Sequence, residues 1–203
     1  MHTKEDRLVD LLEVPDILRY AKLQRRNLGW EGLDRVDPLS LKAVTQVWTV
    51  RGITPFRLEF LDNGEWRTNG AYTEFDGTTH IVEIQESVRR AAFMGDGRAR
   101  FVIAQQLGHA TLRHPEMLEA LYAKKRQAAH RNARVVWASG WHSAEFQAGV
   151  FAAALLIRHD IAGKTASLEE LSVRAGIDMF SARYYYREAL SEIAQLGHTT
   201  SDT

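Results

Sequence analysis

The chain has 203 residues, of which 45% are apolar and 26% charged, and its 26 Lys and Arg residues balance 26 Asp and Glu residues. This composition is typical of one globular domain with a sizeable core, alone or with a small appendage. The neutral balance gives no bulk attraction to nucleic acid or to an acidic membrane. The absence of cysteine excludes disulfides, thiolate metal ligands and a cysteine nucleophile.

The N-terminal region, residues 1–38, predicts a helical arm. Apolar side chains recur at helical spacing within residues 4–24, and Pro15 is expected to kink or restart a helix that begins at Glu5. Residues 29–38 are rich in turn formers and are expected to end this arm.

The sequence carries no pattern typical of secretion or membrane insertion. The stretch from Met1 to Glu13 is charged and lacks the apolar region of a signal peptide. The longest apolar run, Gly149–Ile157, is far short of the roughly 20 residues that cross a bilayer. We therefore expect a cytoplasmic protein that does not enter a membrane.

The central region, residues 39–160, predicts an α+β core. It opens with a short helix over Leu39–Val47, for which Asp37 supplies the cap and Pro38 the first helical residue. Alternating apolar residues then predict a small, mostly antiparallel sheet, and helical periodicity predicts a mainly helical remainder. The strands are expected at Trp48–Val50, Phe56–Phe60, Ala71–Phe75 and His80–Ile84, with turns at 62–64 and 76–77. The helices are expected at Arg98–Arg113, Pro115–Arg134 and Ser143–Arg158, with two short helices beyond Ser167.

The C-terminal region, residues 165–197, predicts a helix-turn-helix-like unit. Leu168–Asp178 has the helix, the glycine turn and the apolar step of that motif. The second helix is expected over Met179–Gln195 and contains Arg183 and Arg187.

Several basic residues are candidates for contact with nucleic acid. Arginine and lysine suit phosphates and base edges, but they are also common on solvated helix faces and at protein interfaces. DNA binding is therefore an alternative interpretation of this set, which is Lys124, Lys125, Arg126, Arg183 and Arg187.

The segment Arg100–His109 has the pattern of a zinc-peptidase helix without its reactive groups. Two side chains four residues apart lie about 40° apart around a helix, so a histidine pair at that spacing can bind zinc, with a glutamate between them as general base. Here Gln105 stands at the first ligand position, Gln106 at the base position, and His109 keeps the second ligand position. An amide oxygen suits zinc poorly, and loss of a general base typically costs about 10²- to 10⁴-fold in rate. We expect weak metal binding and no catalysis.

With this segment, the chain resembles the ImmA/IrrE family of metallopeptidases over about Thr79–Ile157. The likeness includes the approach at Arg98–Ala104, the run Leu107–His109, and a second motif at Glu145–Leu156. In the family that second motif reads Glu-x-Glu-Ala-Asn-x-Phe-Ala-Ala-x-Leu-Leu. The resemblance implies a zincin-like peptidase core, with a glutamate of the second motif as the third zinc ligand.

The third-ligand position is open between Glu145 and Gln147. Even with Glu145, only His109 and Glu145 are family-like ligands, and His142 is a substitute ligand in a rearranged site. His114 lies five residues after His109, about 140° around a continuous helix, and is expected to be a poor partner for it. Both His109 and His114 also fit a structural role as hydrogen-bonded core histidines.

These observations favour a non-catalytic pseudo-metallopeptidase that regulates by binding a protein partner. The resemblance implies that this partner is a helix-turn-helix repressor of a phage or mobile element. No cofactor is expected. The binding groove is expected to contain Gln105, Gln106, His109, Glu145 and Gln147. The alternatives are a DNA-binding transcriptional regulator and a zinc metallopeptidase with a relocated ligand set, His109, Glu145 and His142.

Overall fold

The computed structural model describes residues 9–62, 70–120, 142–158 and 167–183. In chain order these contain α1 (Val14–Asn27), a 3-10 helix (Pro38–Ala43), β1 (Gln46–Thr49), β2 (Gly52–Leu61), β3 (Ala71–Phe75), β4 (His80–Gln85), α2 (Glu86–Phe93), α3 (Gly97–Thr111), α4 (described over residues 114–120), α5 (Ala144–Leu156), α6 (Leu168–Ala175) and a helical turn at Met179–Ser181. The fold is α+β.

The N-terminal helix begins later than predicted. α1 starts at Val14, with Pro15 in its first turn, where the missing N–H of proline costs no helical hydrogen bond. Residues 9–13 are not helical, which corrects the expected start at Glu5, and residues 1–8 lie outside the described part. The backbone N–H of Val9 instead donates to His142 O at 2.9 Å, so this extended segment contacts the region before α5.

The short helix after Asp37 forms as a 3-10 helix. The Asp37 carboxylate accepts a hydrogen bond from Leu39 N at 3.0 Å, as the capping prediction requires. The helix ends at Ala43 rather than at Val47, because Val47 pairs with Thr54 in the sheet. Strand pairing outcompetes helix propensity at this boundary.

The sheet is mixed and has the strand order β1-β2-β4-β3. β1 pairs with β2 and β3 with β4 in antiparallel fashion, whereas the central pair β2–β4 is parallel. The predicted turn after β3 is present: the Asp76 carboxylate accepts from the N–H groups of Thr78 and Thr79, and Gly77 has a φ of 100°. Of the turn predicted at 62–64, only residue 62 is described.

α2 was not predicted from the sequence. β4 passes at Gln85 directly into this helix, whose first residue, Glu86, accepts hydrogen bonds from Arg89 and Arg90. These bonds lower the pKa of Glu86 to about 2. The chain then turns, and the Asp96 carboxylate caps α3 by accepting from Ala99 N at 2.6 Å.

Helices are stacked on one face of the sheet. α3 contacts β1, β3 and β4, α5 packs on α3, and α1 packs on α5. The seam between α3 and α5 is close because Gly108 has no side chain: a Cβ there would lie 2.9 Å from Ala148 O and 3.1 Å from Phe151 Cδ1. Phe151 is fully buried in this seam.

Buried arginines join the helix ends to neighbouring loops. Arg25 of α1 donates to Leu155 O, one of the last carbonyls of α5, which have no partner within the helix. It also donates to Trp30 O in the loop after α1. Arg100 of α3 donates to Val36 O. These contacts fix the position of α3 and α5 relative to the N-terminal region.

The beginning of the C-terminal unit packs against the N-terminus of α3. α6 ends at Gly176, which has a φ of 64°, and Arg174 forms an ion pair with Asp34 at 2.8 Å. A Cβ on Gly97 would lie only 2.4 Å from the carbonyl carbon of Ile177. The predicted second helix, Met179–Gln195, lies outside the described residues beyond 183. Among the described helices, none is long and apolar enough to cross a membrane.

Candidate functional site

The C-terminal half of α3 carries a polar surface that faces the first turn of α5. Gln105 Nε2 donates to Glu145 Oε2 at 3.2 Å and to Glu145 O at 3.3 Å. His109 Nε2 lies 3.7 Å from Glu145 Oε1. The structure therefore brings together Gln105, His109 and Glu145, three of the residues that the sequence identified as site candidates.

Gln106 faces a different neighbour. Its side chain is nearly buried, and its Oε1 accepts a hydrogen bond from Thr73 Oγ1 of β3 at 2.9 Å. The Thr73 hydroxyl also lies 3.1 Å from the backbone oxygen of Gln106. The side chain at the general-base position is thus bonded to the sheet, and nothing in the sequence pattern indicated Thr73.

His114 is a direct partner of His109, contrary to the sequence prediction. The two Nδ1 atoms are 3.0 Å apart. The prediction assumed a continuous helix, but α3 ends at Thr111 and Arg113 adopts a φ of 59°, which is unusual for a residue other than glycine. This reversal at the end of α3 returns the chain toward His109.

Gln147 extends the hydrogen-bond chain into the N-terminal segment. His114 Nε2 lies 3.1 Å from Gln147 Oε1, and Gln147 Nε2 donates to Asp10 O at 2.9 Å. Both His114 and Gln147 are fully buried. The two candidates for the third ligand position therefore differ in place: Glu145 faces Gln105 and His109, whereas Gln147 faces His114.

The chain of hydrogen bonds determines which of the two facing Nδ1 atoms donates and which accepts. Because the Gln147 amide donates to Asp10 O, its Oε1 accepts, and His114 Nε2 must carry a proton. Burial, reinforced by the nearby His109, lowers the pKa of His114 to about 3, so its Nδ1 carries none at neutral pH. His109 Nδ1 therefore donates to His114 Nδ1, and His109 Nε2 faces Glu145.

A second buried polar cluster lies beside this one, and sequence analysis missed it. His80 Nε2 is 3.2 Å from Glu116 Oε1, and Arg113 Nε is 2.7 Å from the same oxygen. Burial would raise the pKa of Glu116, but the neighbouring His80 imidazole and the positive charge of Arg113 outweigh it and lower that pKa. His80 lies on a strand that reads as apolar, which is why its pairing with α4 was not apparent.

The described residues do not fit a catalytic zinc ion. Such a site typically takes three protein ligands, and here His109 and Glu145 are the two family-like ligands that face each other. Within the described ranges, no group of three or more His, Asp or Glu side chains is placed to hold a metal ion. The substitute candidate His142 is exposed, and its Nδ1 lies 3.3 Å from Val9 O.

Most of the candidate nucleic-acid contacts lie outside the described residues. These are Lys124, Lys125, Arg126 and Arg187, while Arg183 is described and exposed. The beginning of the second helix of the C-terminal unit exposes Met179 (44%) and Phe180 (67%). Large apolar side chains at that position are better suited to protein contact than to phosphates.

No protein-family model matches this sequence, and no curated protein is significantly similar to it. The likeness to ImmA/IrrE proteins therefore rests on the residues of the two motifs described above.

Proposed function

We propose that this protein is a non-catalytic regulator with a zincin-like frame, which binds a protein partner at the surface formed by Gln105, His109 and Glu145. The hydrogen bond from Gln105 Nε2 to Glu145 Oε2 carries the proposal. At the position of a ligand histidine, an amide N–H donates to the carboxylate, since an amide oxygen facing that carboxylate would be repelled. Side-chain hydrogen bonds take the place of a metal ion.

The environment of Gln106 supports the absence of catalysis. A glutamine has no group that accepts a proton at neutral pH, and its oxygen already accepts from Thr73.

The proposed partner is a helix-turn-helix repressor of a phage or mobile element, as the resemblance to ImmA/IrrE proteins implies. Glu145 supports an open binding surface, because 39% of its side chain is exposed although it lies at the first turn of a buried helix. Binding to the repressor, without cleavage of it, would be enough for regulation. The C-terminal unit is proposed to be helix-turn-helix-like, with the exposed Met179 and Phe180 contributing to protein contact rather than to DNA binding.

The proposal is tested by metal content, binding and cleavage measured on the same preparation. We expect substoichiometric zinc, binding to one or more members of a panel of purified repressor-type regulators, and an intact partner after prolonged incubation. Glu145→Gln should weaken that binding, whereas Glu119→Gln, at an exposed position of α4, should not. One tightly bound zinc per chain, or partner cleavage that a chelator stops, would contradict the proposal and favour the relocated metallopeptidase site.

A gain-of-function pair tests the geometry of the site. Gln105→His places a second imidazole beside Glu145 and His109 and completes a three-ligand set, so we expect this variant to bind about one zinc per chain. Gln106→His is the matched control, because that side chain faces Thr73. Equal zinc uptake by the two variants would contradict the arrangement in which Gln105 faces Glu145 and Gln106 faces Thr73. Adding Gln106→Glu to Gln105→His should restore zinc binding more readily than proteolysis.

If the protein were instead a DNA-binding regulator, it should bind duplex DNA. Contacts with phosphate give an affinity that falls steeply with added salt. We expect no salt-dependent retardation of duplex DNA, and therefore no effect of Arg183→Ala combined with Arg187→Ala on such retardation.

A further inference from the structure

The sheet has a second face, on the side away from α3. Thr73 of β3 bonds to Gln106 of α3, so the residues that alternate with Thr73 point to the opposite side. Register partners on neighbouring strands share a side, which extends this surface across all four strands. We call it the outer face, and it carries six exposed or half-buried side chains that matter below: Trp48, Ile53, Glu59, Tyr72, Glu74 and Glu83.

Large apolar side chains of the outer face are open to solvent. Trp48 of β1 lies opposite Ile53 of β2, and both are exposed, as is Tyr72 on the edge strand β3. In contrast, Val47 and Phe56, which face the helices from the same strands, are buried. Exposed aromatic and aliphatic groups on one sheet face are typical of a surface that binds another protein.

Carboxylates lie together at the other end of the outer face. Glu59 and Glu83 are register partners on strands about 4.8 Å apart, and Glu74 is diagonal to Glu83. Arg57 forms an ion pair with Glu59 at 2.7 Å, whereas no Lys or Arg among the described residues does so with Glu74 or Glu83. Burial, together with the charges of Glu74 and Glu59, raises the pKa of Glu83. The outer face therefore has an excess of negative charge, although the whole chain is neutral.

This charge selects among the possible partners of the outer face. Nucleic-acid phosphates, or the same face of a second copy, would meet like charge and be repelled. A single metal ion does not fit, because no group of three or more His, Asp or Glu side chains in the described ranges is placed to hold one. A protein segment with several spaced cations and an apolar side matches both the carboxylates and the exposed apolar groups.

The dimensions of the outer face indicate the length of that segment. Ile53 and Glu59 are six residues apart along β2, which corresponds to about 20 Å. An α-helix of about 13 residues has the same length. The apolar end and the acidic end can therefore be contacted at once by one helix of ordinary size.

We propose that the outer face binds a basic amphipathic helix of a protein partner, with Lys or Arg side chains at Glu74 and Glu83 and apolar side chains on Trp48 and Ile53. The carboxylates supply attraction and orientation, and the apolar groups supply contact area. This surface is on the opposite side of the sheet from α3, so it is separate from the surface formed by Gln105, His109 and Glu145 and goes beyond the proposed function.

The test uses three blocked peptides of about the required length as probes. Ac-(Lys-Leu-Ala)4-NH2 has both features, Ac-(Glu-Leu-Ala)4-NH2 reverses the charge, and Ac-(Lys-Ser-Ala)4-NH2 keeps the charge without the leucines. Each is titrated while the backbone amide signals of Tyr72, Glu74 and Glu83 are followed by NMR. We expect the lysine–leucine peptide to bind at least about tenfold tighter than the glutamate peptide, with the lysine–serine peptide between them. Added salt should weaken the binding.

A pair of double variants locates the effect. Glu74→Gln combined with Glu83→Gln should weaken binding of the lysine–leucine peptide by about threefold or more, a loss that two ion pairs of modest strength can provide. Glu119→Gln combined with Glu169→Gln is the matched control, because it changes the net charge equally at exposed positions of α4 and α6. An equal loss in the two double variants would show that only the overall charge matters and would overturn the inference.

Thermal unfolding of the same variants separates a binding role from a structural one. Because Glu59 and Glu74 repel Glu83, the Glu74→Gln and Glu83→Gln pair should raise the midpoint of unfolding at neutral pH. The control pair should leave the midpoint nearly unchanged. A lower midpoint for the outer-face pair would mean that these carboxylates stabilise the fold, and it would also overturn the inference.

The outcomes distinguish this inference from the proposed function. Equal affinity for the lysine–leucine and glutamate peptides, or shifts confined to residues away from the outer face, would contradict the inference. If a regulator binds in a manner that depends on Glu145 but the lysine–leucine peptide does not bind, the inference fails and the proposed function stands. If that peptide binds at the outer face but no regulator in the panel binds, the inference stands and the proposed function fails.

Discussion

Two adjacent sides of α3 differ in how they contact the rest of the protein: one packs through apolar groups, and the other forms side-chain hydrogen bonds. Toward α5, Gly108 lets the two helix backbones come close, and the fully buried Phe151 packs into that seam. Toward the site, Gln105 and Gln106 each bond to a different neighbour, one on α5 and one on β3. The seam holds α3 in place by packing, whereas the polar side is a set of separate hydrogen bonds. We therefore expect stability to depend on the seam and binding to depend on the polar side.

The largest expected effect is on the seam. Phe151→Ala removes a fully buried aromatic ring, and we expect the free energy of unfolding to fall by about 3–5 kcal/mol, measured by urea denaturation. Phe93→Ala is the matched control, because Phe93 is 75% exposed, and its effect should stay within about 0.5 kcal/mol. Similar losses in the two variants would contradict the division between the seam and the surface.

Acid should act through His114. Its pKa is about 3 in the folded protein and near the ordinary 6.5 in the unfolded chain, so the unfolded state binds the extra proton below pH 6.5. Stability is therefore fully present above that pH and is lost as the pH falls toward 3, by about 2–3 kcal/mol at pH 4.5. The check is the difference in unfolding free energy between pH 7.5 and pH 4.5, which should be smaller in His114→Gln by that amount. An unchanged pH dependence would contradict the buried neutral assignment.

Overpacking of the seam should have an intermediate effect. Gly108→Val places methyl groups against the backbone of Ala148 and the ring of Phe151, and we expect a loss of about 2 kcal/mol. Gly32→Val is the control, since no atom lies within 4 Å of a Cβ at that position. A tolerated Gly108→Val would show that α3 and α5 can move apart freely.

The smallest effects are expected on the polar side. Gln106→Met removes the acceptor of the Thr73 hydroxyl but leaves the backbone oxygen that the hydroxyl also contacts, so we expect a loss of about 1 kcal/mol. Gln105→Met acts on a half-buried side chain and should cost less than that, while it weakens partner binding. If Gln105→Met destabilised the fold as much as Phe151→Ala does, the polar side would be part of the structural core.

The sequence predicted the elements that follow from local periodicity and capping. The alternation in 46–84 predicted four strands, and Asp37 was placed correctly at a helix start. α2 was missed because its eight residues follow β4 without a break, so no turn residue marks the boundary. The early end of the 3-10 helix and the parallel pairing of β2 with β4 depend on partners distant in the chain.

At the candidate site too, the sequence predicted the local features and missed the partners that are distant in the chain. The motif identified Gln105, Gln106, His109 and Glu145, because ligand spacing on a helix is a local property. It did not identify Thr73, Asp10 or the pairing of His80 with Glu116, since these partners come from other elements. The prediction that His114 would be a poor partner for His109 was wrong, because Arg113, with its positive φ, changes the direction of the chain after α3.

The sequence by itself determined which ionisable groups the site lacks, since the identities of Gln105 and Gln106 do not depend on the fold. Only the tertiary structure decided what replaces them: a carboxylate bonded to an amide, a hydrogen-bonded histidine pair, and a glutamine bonded to the sheet. The physical reason is that hydrogen bonds require donor and acceptor to meet within about 3 Å, and residues from four different segments of the chain meet here only after packing.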